Sequence, residues 1–284
     1  MKLERIPNAK SLLSILLLML GGFSSAASDV RCGEDRFNGL PAGSDVLVFG
    51  ETHGTNELPD FVGNVVSNFA RSGKPVTLGL ELPAELQGGI NFYLEARSEA
   101  KGLAMLLANE FWLRESKFQD GRSSLSILRL LGTARHLRQS GSDIEVIALE
   151  GRIEEGDFER GMAAAIWHEI LGNVGRKNIV LTGYLHAKPD RGAPWDPDYE
   201  SVGYRLRCIA RNVKLATSGG GSWHCSGGMC GASPIGASSS ERKVKADDIE
   251  SYLPSVGGAV VINVGRVTPS PPIWQGELKF DEKY

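Results

Sequence analysis

A chain of 284 residues with 31 Lys and Arg against 34 Asp and Glu has a formal net charge of −3. At that length it can bury a sizeable core without a metal or a disulfide to hold it together. The mildly acidic balance lacks the basic footprint of a nucleic-acid binder, so no nucleic-acid partner is expected.

The first residues are basic, with Lys2, Arg5 and Lys10 diluted by Glu4, and they lead into the apolar run 12–20. That run is shorter than the roughly 20 apolar residues a membrane span needs. Gly21, Gly22, Ser24, Ser25, Ala26 and Ala27 follow. Basic, apolar and small residues in this order read as a secretory signal peptide over 1–27, cut after Ala26 or Ala27. The mature chain, 28–284, is expected to be exported, to the periplasm or to the medium, as a single α/β domain without a membrane span. Cys32 follows Asp29-Val30-Arg31, which is no lipobox, so no lipid anchor is expected.

Residues 45–50 read as a short buried strand. After the turn formers Gly54 and Asn56 comes a marked helix. Leu58, Phe61, Val62, Val65, Val66 and Phe69 recur at the spacing of one helical face. Residues 76–80 are a second strand, stopped by Glu81-Leu82-Pro83, and two short helices fill 84–108. A loop is expected over 109–123. A helix follows from about 124 to 139, with Ile127, Leu130, Leu131, Ala134 and Leu137 on one face. Residues 144–149 form a third strand, Ala163, Ile166, Trp167, Ile170 and Leu171 mark a helix, and 178–182 form a fourth strand. Strands that alternate with helices imply a mainly parallel sheet covered on both faces, with ligands at the carboxyl ends of its strands. Beyond 188 the pattern weakens, although 213–217 and 259–263 look like further strands. The Gly- and Ser-rich stretch 218–240 is low in apolar residues and expected to be mobile.

The four cysteines are Cys32, Cys208, Cys225 and Cys230. In an oxidising compartment an even number suggests disulfides. Cys225 and Cys230 sit five apart among glycines that let the chain fold back, so a local Cys225–Cys230 bridge is expected, leaving Cys32 with Cys208. A zinc site made by His224 and the two thiolates is the sharper alternative.

Three strand ends carry acidic or imidazole side chains: Glu51 with His53, then Glu81, then His186. In a parallel sheet these ends meet at one rim. Two imidazoles and two carboxylates there suit a divalent metal with an open position, or a metal-free acid–base pair. His53, Glu81 and His186 are the expected catalytic residues, and Glu51, His53, Glu81 and His186 the expected metal ligands. Glu57, four residues past His53, could join them from the first helical turn, or could simply meet the helix dipole there. Glu81 is taken as a wet rim carboxylate with no large burial term. His136 and His168 fall beside apolar helix faces and read as structural.

The run Phe49-Gly50-Glu51-Thr52-His53-Gly54-Thr55-Asn56-Glu57 resembles the first motif of the group that joins erythromycin esterase-like, ChaN-like haem-binding and Tiki/TraB-like proteins. Leu80-Glu81 is similar to that group's acidic position after the second strand, and Gly183-Tyr184-Leu185-His186-Ala187 to its later Gly-x-x-His motif. The resemblance covers roughly 44–190 and is nearest the ChaN-like haem-uptake branch. It implies a three-layer α/β/α fold with a rim site at Glu51, His53, Glu81 and His186. Relatives in the group hydrolyse a lactone, act as metal-dependent proteases or bind haem. The expected function is therefore an exported hydrolase acting on a small molecule or peptide, with a divalent metal as a candidate cofactor. The alternative is a haem-binding uptake protein without turnover. No residue here matches a haem ligand of that group. Substrate choice is expected in the 109–123 loop and in 190–284.

Overall fold

The computed structural model describes residues 46–151, 157–173, 175–239 and 243–273. The expected signal peptide and Cys32, and with Cys32 its expected pairing to Cys208, lie outside the described residues.

In chain order the elements are β1 (Val46–Glu51), α1 (Glu57–Arg71), β2 (Val76–Pro83), α2 (Gln87–Glu95), α3 (Glu99–Leu106), α4 (Glu110–Leu113), α5 (Leu125–Gln139), β3 (Ile144–Glu150), α6 (Phe158–Gly172), β4 (Lys177–Gly183), α7 (Val202–Arg205), β5 (Ala210–Ala216), β6 (Ser218–Ser226), β7 (Met229–Ala237) and β8 (Ala259–Asn263). Six of the strands form one sheet in the order β3-β2-β4-β1-β5-β8. Every pairing in it is parallel. Parallel neighbours need long crossovers, and that requirement is what the intervening helices meet.

Side-chain alternation along β1 sorts the layers. Leu47 and Phe49 pack with the α1 stripe and with Leu130 and Leu131 of α5. Val46 and Val48 face the other way, against Met162, Ala163 and Ile166 of α6 and Val202 of α7. The result is α/β/α, and a strand buried on both faces needs the continuous apolar run that β1 has. The stripe expected for α1 is buried throughout, with no member more than 5% exposed. Each such side chain contributes about 1.5–3 kcal/mol by leaving water.

β4 inserts between β2 and β1. The chain leaves β1 toward one edge of the sheet and leaves β4 toward the other, which opens a crevice at their carboxyl ends. Register then brings the site residues level. Glu51 pairs with Gly183, and Leu80, just before Glu81, pairs with Leu181.

The Gly/Ser-rich stretch 218–240, expected to be mobile, is for the most part the antiparallel hairpin β6–β7. Its two-residue turn, Gly227-Gly228, has φ of 60° and 83°. Primed hairpin turns need positive φ at both central positions, which glycine supplies without strain. Low apolar content misled because this hairpin is held by backbone contacts to neighbouring loops, with few buried side chains. Cys225 and Cys230 are register partners and are joined by a disulfide. The zinc alternative thereby loses both of its sulfur ligands, and His224 Nδ1 instead lies 2.8 Å from Ser222 Oγ. Among the described residues no helix is long and apolar enough to cross a membrane.

Candidate active site

Glu51 is the last residue of β1, and its side chain is 2% exposed. Its Oε1 lies 3.0 Å from His53 Nδ1. With Nδ1 so engaged, His53 turns Nε2 toward Glu81, 3.5 Å from Oε2. His186, just past β4, does the same from the opposite side, with Nε2 3.6 Å from Glu81 Oε1 and Nδ1 against the Glu159 carboxylate. The structure therefore brings Glu51, His53, Glu81 and His186 into one cluster, with both imidazoles facing a single carboxylate.

That carboxylate is not the wet rim group expected from the sequence. Glu81 is buried, and its Oε2 accepts hydrogen bonds from Thr182 Oγ1 at 2.6 Å and from the Gly183 amide at 2.7 Å. Arg122 Nη1 approaches Oε1 at 3.4 Å. Gly183 is needed for this closeness, because a Cβ there would lie 2.9 Å from His53 Nε2. Gly50 serves similarly: a Cβ on it would lie 2.7 Å from the Ala187 Cβ, so the turn carrying His186 could not settle on β1.

Sequence reasoning missed three of the residues here. Arg122, on the 109–123 loop, binds Asp120 through Nη2 at 2.7 Å and contacts Glu150 as well as Glu81. Glu159, in the first turn of α6, accepts from His186, from the Tyr199 hydroxyl and from the Val202 amide. Tyr199 thereby links the 184–201 loop to the site. A glycine between opposite charges, Asp120-Gly121-Arg122, was the available hint for Arg122. Glu159 looks like any acid in a first helical turn, and nothing local separates it from that role.

Glu57 stays outside the cluster. Its carboxylate accepts from the Thr268 amide and hydroxyl, both at 2.7 Å, tying α1 to the chain beyond β8. His136 and His168 are exposed on α5 and α6, away from the site.

Electrostatics follow from this packing. Burial pulls His53 toward neutrality, but the Glu81 charge and the bonds to Glu51 and Glu81 outweigh it, and its pKa is pushed up to about 10. Burial likewise opposes a charged His186, and the Glu159 bond with the Glu81 and Glu159 charges raises it above the ordinary imidazole value. Glu81 moves the other way: against its burial, His53 and then His186 hold it well below the usual carboxylate range. Glu51 is pushed up by burial, and its Oε2 has no hydrogen-bond partner. Both imidazoles are thus biased toward their charged forms, around a carboxylate biased toward its own.

A divalent metal fits this arrangement poorly. Among the described residues no group of three or more His, Cys, Asp or Glu side chains is placed to hold one ion. Glu81 is already occupied by Thr182, Gly183 and Arg122, and a guanidinium at 3.4 Å repels a second cation.

No protein-family model and no curated protein sequence matches this chain. Solved structures do. The fold is similar to that of a mutant of the erythromycin esterase EreC in its open conformation, with a TM-score of 0.50 and 11% identity over 74% of this chain and 80% of that one. It is similar also to a structure described as a succinoglycan biosynthesis protein, with a TM-score of 0.51 and 10% identity over 81% and 90% of the two chains. At such identities the likeness establishes the shared α/β fold, as the motif resemblance implied.

Proposed function

We propose that this protein is an exported hydrolase that works by acid–base catalysis on a small-molecule or peptide substrate, within the group that includes the ChaN-like and erythromycin esterase-like proteins. One observation carries the reading: two imidazoles, each fixed at Nδ1 by its own glutamate, turn Nε2 toward the same point. A histidine held at Nδ1 by one carboxylate is oriented for proton transfer at Nε2. Fold kinship with an erythromycin esterase agrees with an ester or lactone as the first substrate class to try.

In this reading His53 is the base. In its neutral form Nε2 takes a proton from water, and the resulting imidazolium is held by Glu81 ahead and Glu51 behind. Glu81 itself is a poor base, since its partners favour the ionised form so strongly. Its part is to orient the imidazoles and stabilise their charge. His186, biased toward its charged form by the Glu159 bond, donates from Nε2 to the oxygen that gains charge in the transition state. Because burial is outweighed by the Glu81 charge and by the bonds to Glu51 and Glu81, His53 rests protonated, and turnover should rise with pH as its proton is lost.

The test is hydrolysis of a panel of activated esters, lactones and amides by purified protein, with and without EDTA, beside His53→Gln. We expect turnover that survives the chelator, rises above neutral pH and is lost in the variant. Metal that co-purifies in stoichiometric amount and is required for turnover would replace this mechanism with a metal-dependent one. No turnover on any substrate, together with saturable haem binding by the same sample, would favour uptake instead.

A further inference from the structure

The chemistry above makes no use of the hairpin β6–β7, yet the hairpin touches both loops that present it. The Trp223 amide donates to the Gly54 carbonyl at 2.7 Å, one residue after His53. The Trp223 indole Nε1 donates to the Gln119 carbonyl at 2.9 Å, three residues before Arg122. The strand sits in a notch made by two glycines: a Cβ on Gly54 or Gly121 would come within 1.9 or 2.8 Å of the Trp223 carbonyl oxygen. Both have positive φ, 70° and 98°, so any other residue would meet backbone strain as well as a clash. Trp223 is the strut between the His53 loop and the Arg122 loop.

Below Trp223 the strut is anchored by backbone bonds between Gly219, Gly221 and Val267; above it, toward the turn, the backbone bonds among the described residues are those of the ribbon's own pairing. The cross-strand pairs around it are Ser222 with Ser233, Trp223 with Ala232 and His224 with Gly231. Such pairs bury little apolar area, and a two-stranded ribbon is marginal alone. The turn glycines add freedom to the unpaired chain. Two positions beyond Trp223, at the exposed end of β6, Cys225 is bonded to Cys230 directly across the ribbon.

We propose that Trp223 is a positioning residue for His53 and Arg122, and that the Cys225–Cys230 disulfide is a redox-sensitive lock that keeps it seated. This rests on the acid–base reading of the site. A dithiol reductant supplies two electrons and two protons. The Cys225–Cys230 bond breaks, two thiols form, and the dithiol leaves as its own disulfide. The ribbon then frays from the turn down to Trp223, and the two loops lose their common support. Arg122 slackens from Glu81, and His53 with it.

The experiment compares full-length wild type, Cys225→Ser/Cys230→Ser, Trp223→Ala and Trp223→Phe. Amide hydrogen exchange needs no substrate. In the double-serine and Trp223→Ala chains we expect protection to fall about tenfold or more at 53–56 and 119–123, with 178–182 unchanged. Hydrolysis of an activated ester should show kcat down about 10- to 100-fold with KM little changed, as expected when a catalytic group is misplaced but not removed. The alkaline rise in rate should also shift to lower pH in both chains, because His53 is no longer held against Glu81. Trp223→Phe keeps most of the ring but loses the indole bond to the Gln119 carbonyl, so it should recover only part of kcat. If the double-serine chain does not fold, dithiothreitol titration of folded wild type, with alkylation mapping which thiols open, gives the same readout. Unchanged exchange in both loops after opening of Cys225–Cys230 would overturn the lock. An unshifted pH profile in Trp223→Ala would overturn the positioning role. Should wild type turn over no ester at all, the hydrolase reading fails, while the exchange data still decide the lock.

Discussion

His53 and His186 each direct Nδ1 to a glutamate and Nε2 to Glu81, but the two glutamates are supported differently. Glu159 comes from α6 and is saturated, with His186, Tyr199 and the Val202 amide all on its carboxylate. Glu51 ends β1 two residues before its histidine, and its second oxygen has no hydrogen-bond partner. Beside it is a cavity of about 10 Å³ lined by Glu51, His53, Glu81 and Arg122 with Leu80, Leu82, Ile127 and Leu181. That is close to the least room a single water needs. In the proposed mechanism the His186 half, whose glutamate is fully bonded, would serve as acid and the His53 half as base.

Glu81→Gln strikes both halves together and should have the largest effect. Two imidazoles would then face a neutral amide, and removing one partner of a buried ion pair costs about 3–5 kcal/mol. Urea unfolding should show that loss, with activity at background. Linkage gives a second readout. His53 is raised from 6.5 to about 10, so its stabilising share is complete below pH ~6.5 and is lost as pH climbs through ~10. Glu81 is lowered, so its share is present above its ordinary value and is lost as pH falls toward its folded one. Wild type should therefore weaken from neutral pH toward pH 10, and Glu81→Gln should lack that slope. A variant as stable as wild type would remove Glu81 from the shared position.

The comparison sharpens when the halves are struck one at a time. His53→Gln should lower kcat about 100- to 10,000-fold with the fold retained, the usual range for loss of a general base. His186→Gln should cost less at high pH, where its proton is already leaving. Equal losses at every pH would mean that the halves are not divided into base and acid.

Gly183→Ala strikes the His53 side hardest, with His186 Cδ2 next nearest to the added Cβ at 3.4 Å. The added Cβ meets His53 Nε2 at 2.9 Å, and crowding of this kind costs about 1–3 kcal/mol in stability. Activity should suffer more, since the imidazole must swing away from Glu81; an unfolding assay beside a rate measurement separates the two. Tyr199→Phe should be mildest. Glu159 keeps His186 and Val202, so the loss is that of one hydrogen bond, about 1 kcal/mol by thermal unfolding, with turnover changed only slightly. A large loss of activity would show that the His186 half is less secure than its contacts indicate.

Periodicity and strand ends were the legible part. The apolar stripes of α1 and α5 and the four strands that end near Glu51, Glu81, Glu150 and Gly183 are where the residue pattern places them. Parallel topology then makes strand-end residues converge, which is why Glu51, His53, Glu81 and His186 could be grouped without coordinates. What could not be read depends on long-range approach. Glu57 was near His53 in sequence, but the chain around Thr268 passes over α1 and takes its carboxylate. Glu81 was a strand end, and only the returning Thr182-Gly183 and Arg122 make it buried. The glycines of β6 looked like freedom; at Gly54 and Gly121 the opposing glycines show that small residues here serve close backbone contact.

The most direct test is the protonation of the two rings themselves. Ring nitrogen-15 NMR, assigned with His53→Gln and His186→Gln, would follow both from pH 5 to 11. His53 should remain an imidazolium at neutral pH and titrate near pH 10, with His186 also above its ordinary value. A His53 that titrates near 6.5, or that shows a metal-bound Nε2 in the protein as isolated, would overturn the shared-carboxylate site.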